Sequence, residues 1–181
     1  GQHQAENAAL AIAMLRHQSA IDVPESAMAA AMEWTRWPAR MQQLGDGPLT
    51  GLLPEGSVVW LDGGHNPDAG AAIAKVLENS PPVHVIIGML KNKDAIGFLT
   101  PFAEKIASVH AVPIPGHEHH DPKDMCHWVQ VQLGVEHADP VDNVAVAMQR
   151  LAERGEPTKI LVCGSLYLAG EVLRLNAETP T

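Results

Sequence analysis

Basic residues are scarce and unevenly placed. No lysine occurs before Lys75, no basic run exists, and 12 Lys and Arg stand against 21 Asp and Glu, for a net charge of -9. That balance argues against binding the nucleic-acid backbone and against an anionic membrane surface. Cysteine is as sparse. Cys126 and Cys163 are the only two, without a CxxC spacing, so neither a disulfide framework nor a redox site is expected, and a reducing cytoplasm is the expected location. No apolar run reaches the roughly 18 residues of a membrane-spanning helix. The N-terminus has none of the regions of a secretory signal. A Walker A loop, GxxxxGK followed by Ser or Thr, is absent, so any ATP triphosphate must be held by another polypeptide segment. What is present suffices for a core. Of 181 residues 46% are hydrophobic and 18% charged, which excludes a disordered tail and fits one full domain with a piece of another attached.

Periodicity predicts two helices, an irregular stretch and then a regular alternation. Gln2 to His17 carries Ala8, Ile12 and Leu15 on one face. Pro24 suits a first helical turn, with Ala27, Met28, Ala31, Met32 and Trp34 forming a second apolar stripe. Thr35 to Gly56 breaks into Gly, Pro and short apolar runs, read as a linker followed by an antiparallel hairpin or edge strands. Strands are then expected at Ser57–Leu61, Val83–Ile87, Ser108–Val112, Val135–Ala138 and Lys159–Cys163. Helices are expected from Asn66–Pro67 to Glu78, from Asp94 to Ile106, from Asp121–Pro122 to Leu133, from Asp139–Pro140 to Arg154, and from Ser165 onward. Three of them open on Asn or Asp followed by Pro, a capping pair that wastes no hydrogen bond. The alternation implies right-handed crossovers and an α/β, doubly wound, mostly parallel sheet.

In such a sheet ligands bind beyond the carboxyl ends of the strands. Four loops lie there: Asp62 to Pro67, Gly88 to Asp94, Pro113 to Asp121, and Gly164-Ser165. The first, DGGHNP, places a carboxylate directly after a buried strand, two glycines beside it, and His65 before a capped helix N-terminus that favours anions. Asp62 and Asn66 could equally cap a turn and a helix. The loop lacks the third glycine of GxGxxG, so a dinucleotide site is not expected.

Gly1-Gln2-His3-Gln4-Ala5-Glu6-Asn7, Trp37-Pro38-Ala39-Arg40, Leu61-Asp62-Gly63-Gly64-His65-Asn66-Pro67, Lys93-Asp94 and Gly164-Ser165-Leu166-Tyr167-Leu168 occur in a set order. In that order they resemble the folylpolyglutamate and dihydrofolate synthases of the Mur ligase superfamily. The resemblance implies a Rossmann-like C-terminal domain over 57–181, a hinge and edge hairpin over 36–56, and over 1–35 the last helices of the central ATPase domain of the same protein. Since the first motif begins at Gly1, an excised part of a longer protein is expected. The implied activity is ATP-dependent addition of L-glutamate to folate or dihydropteroate through an acyl phosphate, with Mg2+ ligands outside this chain.

Carried over by motif, Asn7, Arg40 and Asp62 would contact ATP, at the adenine, from the hinge and at the ribose hydroxyls respectively. His65 and Ser165 would stand near the glutamate. Their plain alternatives are a turn histidine bonded to the backbone and an N-cap. The family's usual WPGR and DGAHNP read WPAR and DGGHNP in this chain, with Ala39 and Gly64 at the changed positions. Lys93 is read as a solvated residue before a cap, and Tyr167 as packing the last helix. His110, His117, His119, His120 and His127 crowd one window. They belong to no family motif and have no four-ligand spacing, so a mobile surface loop is expected and no metal site. Two competing readings are a peptidoglycan-precursor Mur ligase and a non-catalytic α/β nucleotide-binding module.

Overall fold

The structure is a computed structural model and describes residues 2–35 and 37–178. Gly1 of the first motif, the side chains of His3 and Gln4, and residues 179–181 lie outside the described residues. The chain divides into two compact units, Gly1–Trp37 and Pro38–Thr181.

The first unit is a helix pair, α1 (Gln2–His17) and α2 (Glu25–Trp34). Pro24 is the N-cap of α2 and not its first helical residue. The Gln18 side chain organises the turn between the helices: its Oε1 accepts the Ala20 and Ile21 N–H groups at 2.8 and 2.9 Å, and its Nε2 donates to Leu15 O at 2.9 Å. Arg16 donates to Glu25 at 2.6 Å across the same turn.

The second unit is a six-stranded sheet in the order β1-β2-β6-β3-β4-β5. The strands are β1 (Gln42–Gln43), β2 (Val58–Leu61), β3 (Val83–Ile87), β4 (Ile106–Ala111), β5 (Ala138–Pro140) and β6 (Lys159–Cys163). β1 runs antiparallel to β2 at one edge, and the other five are parallel. Parallel strands must be covered on both faces. On one face α3 (Pro67–Leu77), α4 (Ala95–Leu99) and α5 (Pro122–Leu133) bury Ile73, Phe98 and Val129 against Val85, Val109 and Leu161. On the other, α6 (Val144–Ala152) and α7 (Leu166–Leu175) bury Met148, Leu168 and Val172 against Val59, Ile86 and Val162. Among the described residues no helix is long and apolar enough to cross a membrane.

Two expected helices are corrected. The one opened by Asp94 is α-helical only to Leu99. Pro101, which cannot donate an N–H, is followed by a non-helical Phe102, and residues Thr100–Lys105 form a 3-10 turn leading into β4. Asp139-Pro140 opens no helix: both residues end the edge strand β5, and α6 starts after Asn143, whose Oδ1 accepts the Val146 N–H at 3.0 Å. Proline is tolerated in an edge strand, so the capping signature was ambiguous there. The Asn66–Pro67 and Asp121–Pro122 caps hold, with Ala69 N–H donating at 2.9 Å and Lys123 N–H at 2.7 Å. Within the 36–56 stretch, β1 is the antiparallel edge strand and Thr50–Leu52 forms a 3-10 turn. Buried Asn176 anchors it, accepting the Leu49 and Thr50 N–H groups at 3.1 and 3.0 Å.

A polar cluster interrupts the core near the start of β3 and β4. Ser108 Oγ lies 2.8 Å from His84 Nδ1 and 3.2 Å from His110 Nε2, while buried His110 Nδ1 has no partner among the described residues. The hydroxyl has one proton and two lone pairs, so at least one imidazole donates to it and at most one accepts from it. Burial pulls His84 down to about 4, helped by Arg154 and His110; burial also lowers His110, with Arg150 and Arg154 adding to this and Asp139 opposing it. The unfolded chain therefore binds these protons more readily than the folded one. Stability is expected to be full above about pH 6.5 and to fall toward pH 4. Solvent screening at half-buried His84 limits its share to about 1–2 kcal/mol. Urea midpoints at pH 7 and pH 4.5 for wild type and His84→Leu check this, because the variant should lose less stability on acidification. An equal loss in both would remove His84 from the account.

Candidate functional site

β6 lies between β2 and β3, but the chain reaches it last, returning from β5 through α6. The connections leaving β2 and β3 go to one face of the sheet and that leaving β6 goes to the other. The carboxyl end of β6 is therefore the topological switch point, where open α/β sheets form their ligand crevice. Gly164, with φ +103°, sits at its base and donates its N–H to Gly64 O at 3.1 Å. A Cβ on Gly164 would stand 2.7 Å from Gly88 O, so only glycine lets the three loops meet.

Asp62 is 6% exposed and its carboxylate staples two segments together. Oδ1 accepts the Gly64 N–H at 2.7 Å and Oδ2 accepts the Met41 N–H at 2.8 Å. Gly63 N–H donates back to Ala39 O at 2.8 Å, and Ala39 N–H donates to Gln42 Oε1 at 3.0 Å. The segment so held is strained, with φ +56° at Ala39 and +45° at Met41. A glycine in the family's WPGR thus has a backbone reason that Ala39 has to meet with strain. At Gly64 an alanine Cβ would lie 2.8 Å from both Ala69 Cβ and Asp62 Oδ1. Glycine fits the crowded position in this chain.

Arg40 is exposed, donates to Ala39 O at 3.4 Å, and has no ion pair among the described residues. Its Nη1 lies 3.4 Å from where a Cβ on Gly63 would be, so the guanidinium stands directly at the DGGHNP loop. Half-buried His65 lies with Nδ1 2.9 Å from Gly63 O. A carbonyl only accepts, so Nδ1 carries the proton and Nε2 is the acceptor in the neutral ring. Ser165 is buried and its Oγ accepts the Tyr167 N–H at 3.1 Å, capping α7. Arg40, Asp62, His65 and Ser165 therefore gather at one crevice. Asn7 lies on α1, in the first unit.

Buried Cys163 lies beneath the crevice, and burial with the Asp62 charge holds its thiol well above the ordinary range. Burial pushes Cys126 up to about 11. Both are protonated thiols rather than nucleophiles near neutral pH.

Of the histidine window, His110 lies in β4 and His127 on α5, and a surface loop joins these elements. It is stitched to the loop after β3 by Lys91 N–H to Glu118 O at 3.2 Å, His120 N–H to Met89 O at 3.0 Å, and His120 Nε2 to Lys93 O at 2.7 Å. Tyr167, read as packing the last helix, is 53% exposed and stacks on His117. That contact and the Asp62–Met41 bond were missed from sequence; the signal available for the first was the lone Tyr two residues after Ser165.

The family model for the dihydrofolate synthetase C-terminal domain matches residues 52–175. The chain belongs to this family. A probable bifunctional folylpolyglutamate synthase/dihydropteroate synthase of Haloferax volcanii is 30% identical over 174 residues, covering 94% of this chain and 19% of its own length. The chain thus spans about a fifth of that relative. The structure of E. coli FolC in complex with DHPP and ADP is 26% identical, with TM-score 0.66, over 93% of this chain and 38% of that one. A Mycobacterium tuberculosis folylpolyglutamate synthase complexed with ADP and AMPPCP shares the fold at TM-score 0.79 and 21% identity, over 100% of this chain and 41% of that one.

Proposed function

We propose that this dihydrofolate synthetase C-terminal domain serves a larger ATP-dependent ligase that adds L-glutamate to folate or dihydropteroate through an acyl phosphate. The carrying observation is the gathering of Arg40, Asp62, His65 and Ser165 at the crevice of a domain whose family is that of the folate ligases. The folate-ligase relatives favour this reading over a peptidoglycan-precursor ligase and over a non-catalytic module.

Each Asp62 oxygen accepts one backbone N–H and retains lone-pair capacity for a ribose hydroxyl. Arg40 supplies a permanent positive charge for the nucleotide from the hinge. Asn7, an amide offering one donor and one acceptor edge, suits adenine. Ser165, at the N-terminus of α7, suits a glutamate carboxylate, and His65 Nε2 can accept a proton from its ammonium. Mg2+ is assigned to ligands elsewhere in the ligase, beside the triphosphate. The helix pair, with Leu10, Met14 and Trp34 exposed, is assigned to the end of a central ATPase domain. A cytoplasmic location fits a folate-consuming ligase.

The test has two arms. The complete ligase should release phosphate only with ATP, glutamate and a folate or dihydropteroate together. The 181-residue chain alone should release none and bind ATP only near millimolar, about 4 kcal/mol of binding free energy by calorimetry. Turnover by the chain alone, or tight ATP binding to it, would overturn the division of the site.

A further inference from the structure

The Tyr167 ring stacks on His117 with centroids 3.7 Å apart and planes 25° apart. The contact joins two loop regions at the carboxyl edge of the sheet. Tyr167 is the second residue of α7, which leaves β6, whereas His117 belongs to the loop after β4, two strands away across β3. The stitches from Leu90, Lys91 and Met89 to residues 118–120 carry that loop over the loop after β3, toward α7. The residue before Tyr167 points the other way: Leu166 packs over Gly63 beside Arg40. Two consecutive side chains therefore flank Ser165, Leu166 on the Asp62 side and Tyr167 on the β4 side.

The stack leaves its polar atoms free. Among the described residues, neither the His117 ring nitrogens nor the Tyr167 hydroxyl has a hydrogen-bond partner within the protein. Both side chains are exposed. Contact with the Tyr167 ring favours one orientation of the imidazole before a ligand arrives. Lys91 and Lys93, on the loop beneath, form no ion pair among the described residues and add positive charge in a chain of net charge -9.

We propose that the His117–Tyr167 stack is a specificity-determining wall of the amine-substrate site, with a His117 N–H donating to the side-chain carboxylate of the incoming amino acid and Tyr167 holding the imidazole in place. This rests on the glutamate-ligase reading. An amino dicarboxylic acid presents two carboxylates and one ammonium. The N-terminus of α7 suits one carboxylate, and the second needs a donor on the opposite wall. His117 is the residue that the loop path and the stack place there.

Steady-state kinetics of the complete ligase test this. His117→Ala should raise the KM for glutamate about tenfold, leaving kcat at saturating glutamate and the KM for ATP within twofold. Tyr167→Ala should do the same, while Tyr167→Phe, which keeps the stacking ring, should stay within twofold of wild type. His127→Ala, exposed on α5, is the control. An unchanged glutamate KM in His117→Ala, or a Tyr167→Phe as impaired as Tyr167→Ala, overturns the wall while leaving the ligase reading intact. A wild-type enzyme that does not consume glutamate overturns the ligase reading and the wall with it.

Discussion

Asp62→Asn is expected to lower kcat/KM for ATP in the complete ligase by at least about a hundredfold, the equivalent of roughly 2.7 kcal/mol. The carboxylate accepts from Gly64 and Met41 with little exposure. An asparagine can offer its oxygen to one of these N–H groups and must turn its own NH2 on the other. One charge-assisted bond becomes neutral and one buried donor meets a donor, a cost of about 3–5 kcal/mol. At about 2–4 °C per kcal/mol for a chain of this size, the melting temperature of the 181-residue chain should drop by about 10 °C. The released hinge, with Ala39 and Met41 at positive φ, then relaxes away from the crevice and takes Arg40 with it. Calorimetric melting and initial-rate kinetics check both effects. A variant that melts and turns over like wild type would show that Asp62 neither staples the hinge nor serves the nucleotide.

Gly164→Ala is the second large effect. The residue combines φ +103° with a Cβ position 2.7 Å from Gly88 O and 2.9 Å from Ile87 Cγ1. One obstacle is backbone and the other a fully buried side chain, so neither can yield cheaply. Backbone strain of about 1–3 kcal/mol adds to overpacking of similar size. An overall loss of about 3–5 kcal/mol in denaturant unfolding is expected. Gly116→Ala separates the two causes: its φ is +77° but nothing lies within 4 Å of the new Cβ, so about 1–2 kcal/mol is expected. Equal losses at the two sites would refute the close approach of the β3 and β6 loops.

The architecture was legible where a local signal had one meaning. Val83–Ile87 and Lys159–Cys163 are short apolar runs buried on both faces, and they form strands over the expected residues. Asn66-Pro67 and Asp121-Pro122 start helices as their chemistry suggests. Asp139-Pro140 has the same letters and ends a strand. An edge position needs no N–H from Pro140, and the next N–H, that of Val141, continues the ladder to Ala111 O at 2.8 Å. Edge or centre is a property of the sheet, invisible in a dipeptide. The Asp94 helix failed for a local reason that was readable, since Pro101 stood within it.

The site divides in the same way. Sequence alone determined that Asp62, His65 and Ser165 lie at strand ends or helix starts, because strand and helix periods and capping residues act over a few neighbours. It also determined the family, because five motifs in order survive changes in the residues between them. Only the tertiary structure decided that the Asp62 carboxylate accepts from Met41 and Gly64, that Ala39 is strained, and that His117 meets Tyr167. These pairs lie 21 residues apart for Asp62 and Met41 and farther apart for the stack. Such contacts form when the strand order β2-β6-β3-β4 brings distant loops to one edge of the sheet. That order is set by which faces the helices cover, a choice made by packing the whole core at once.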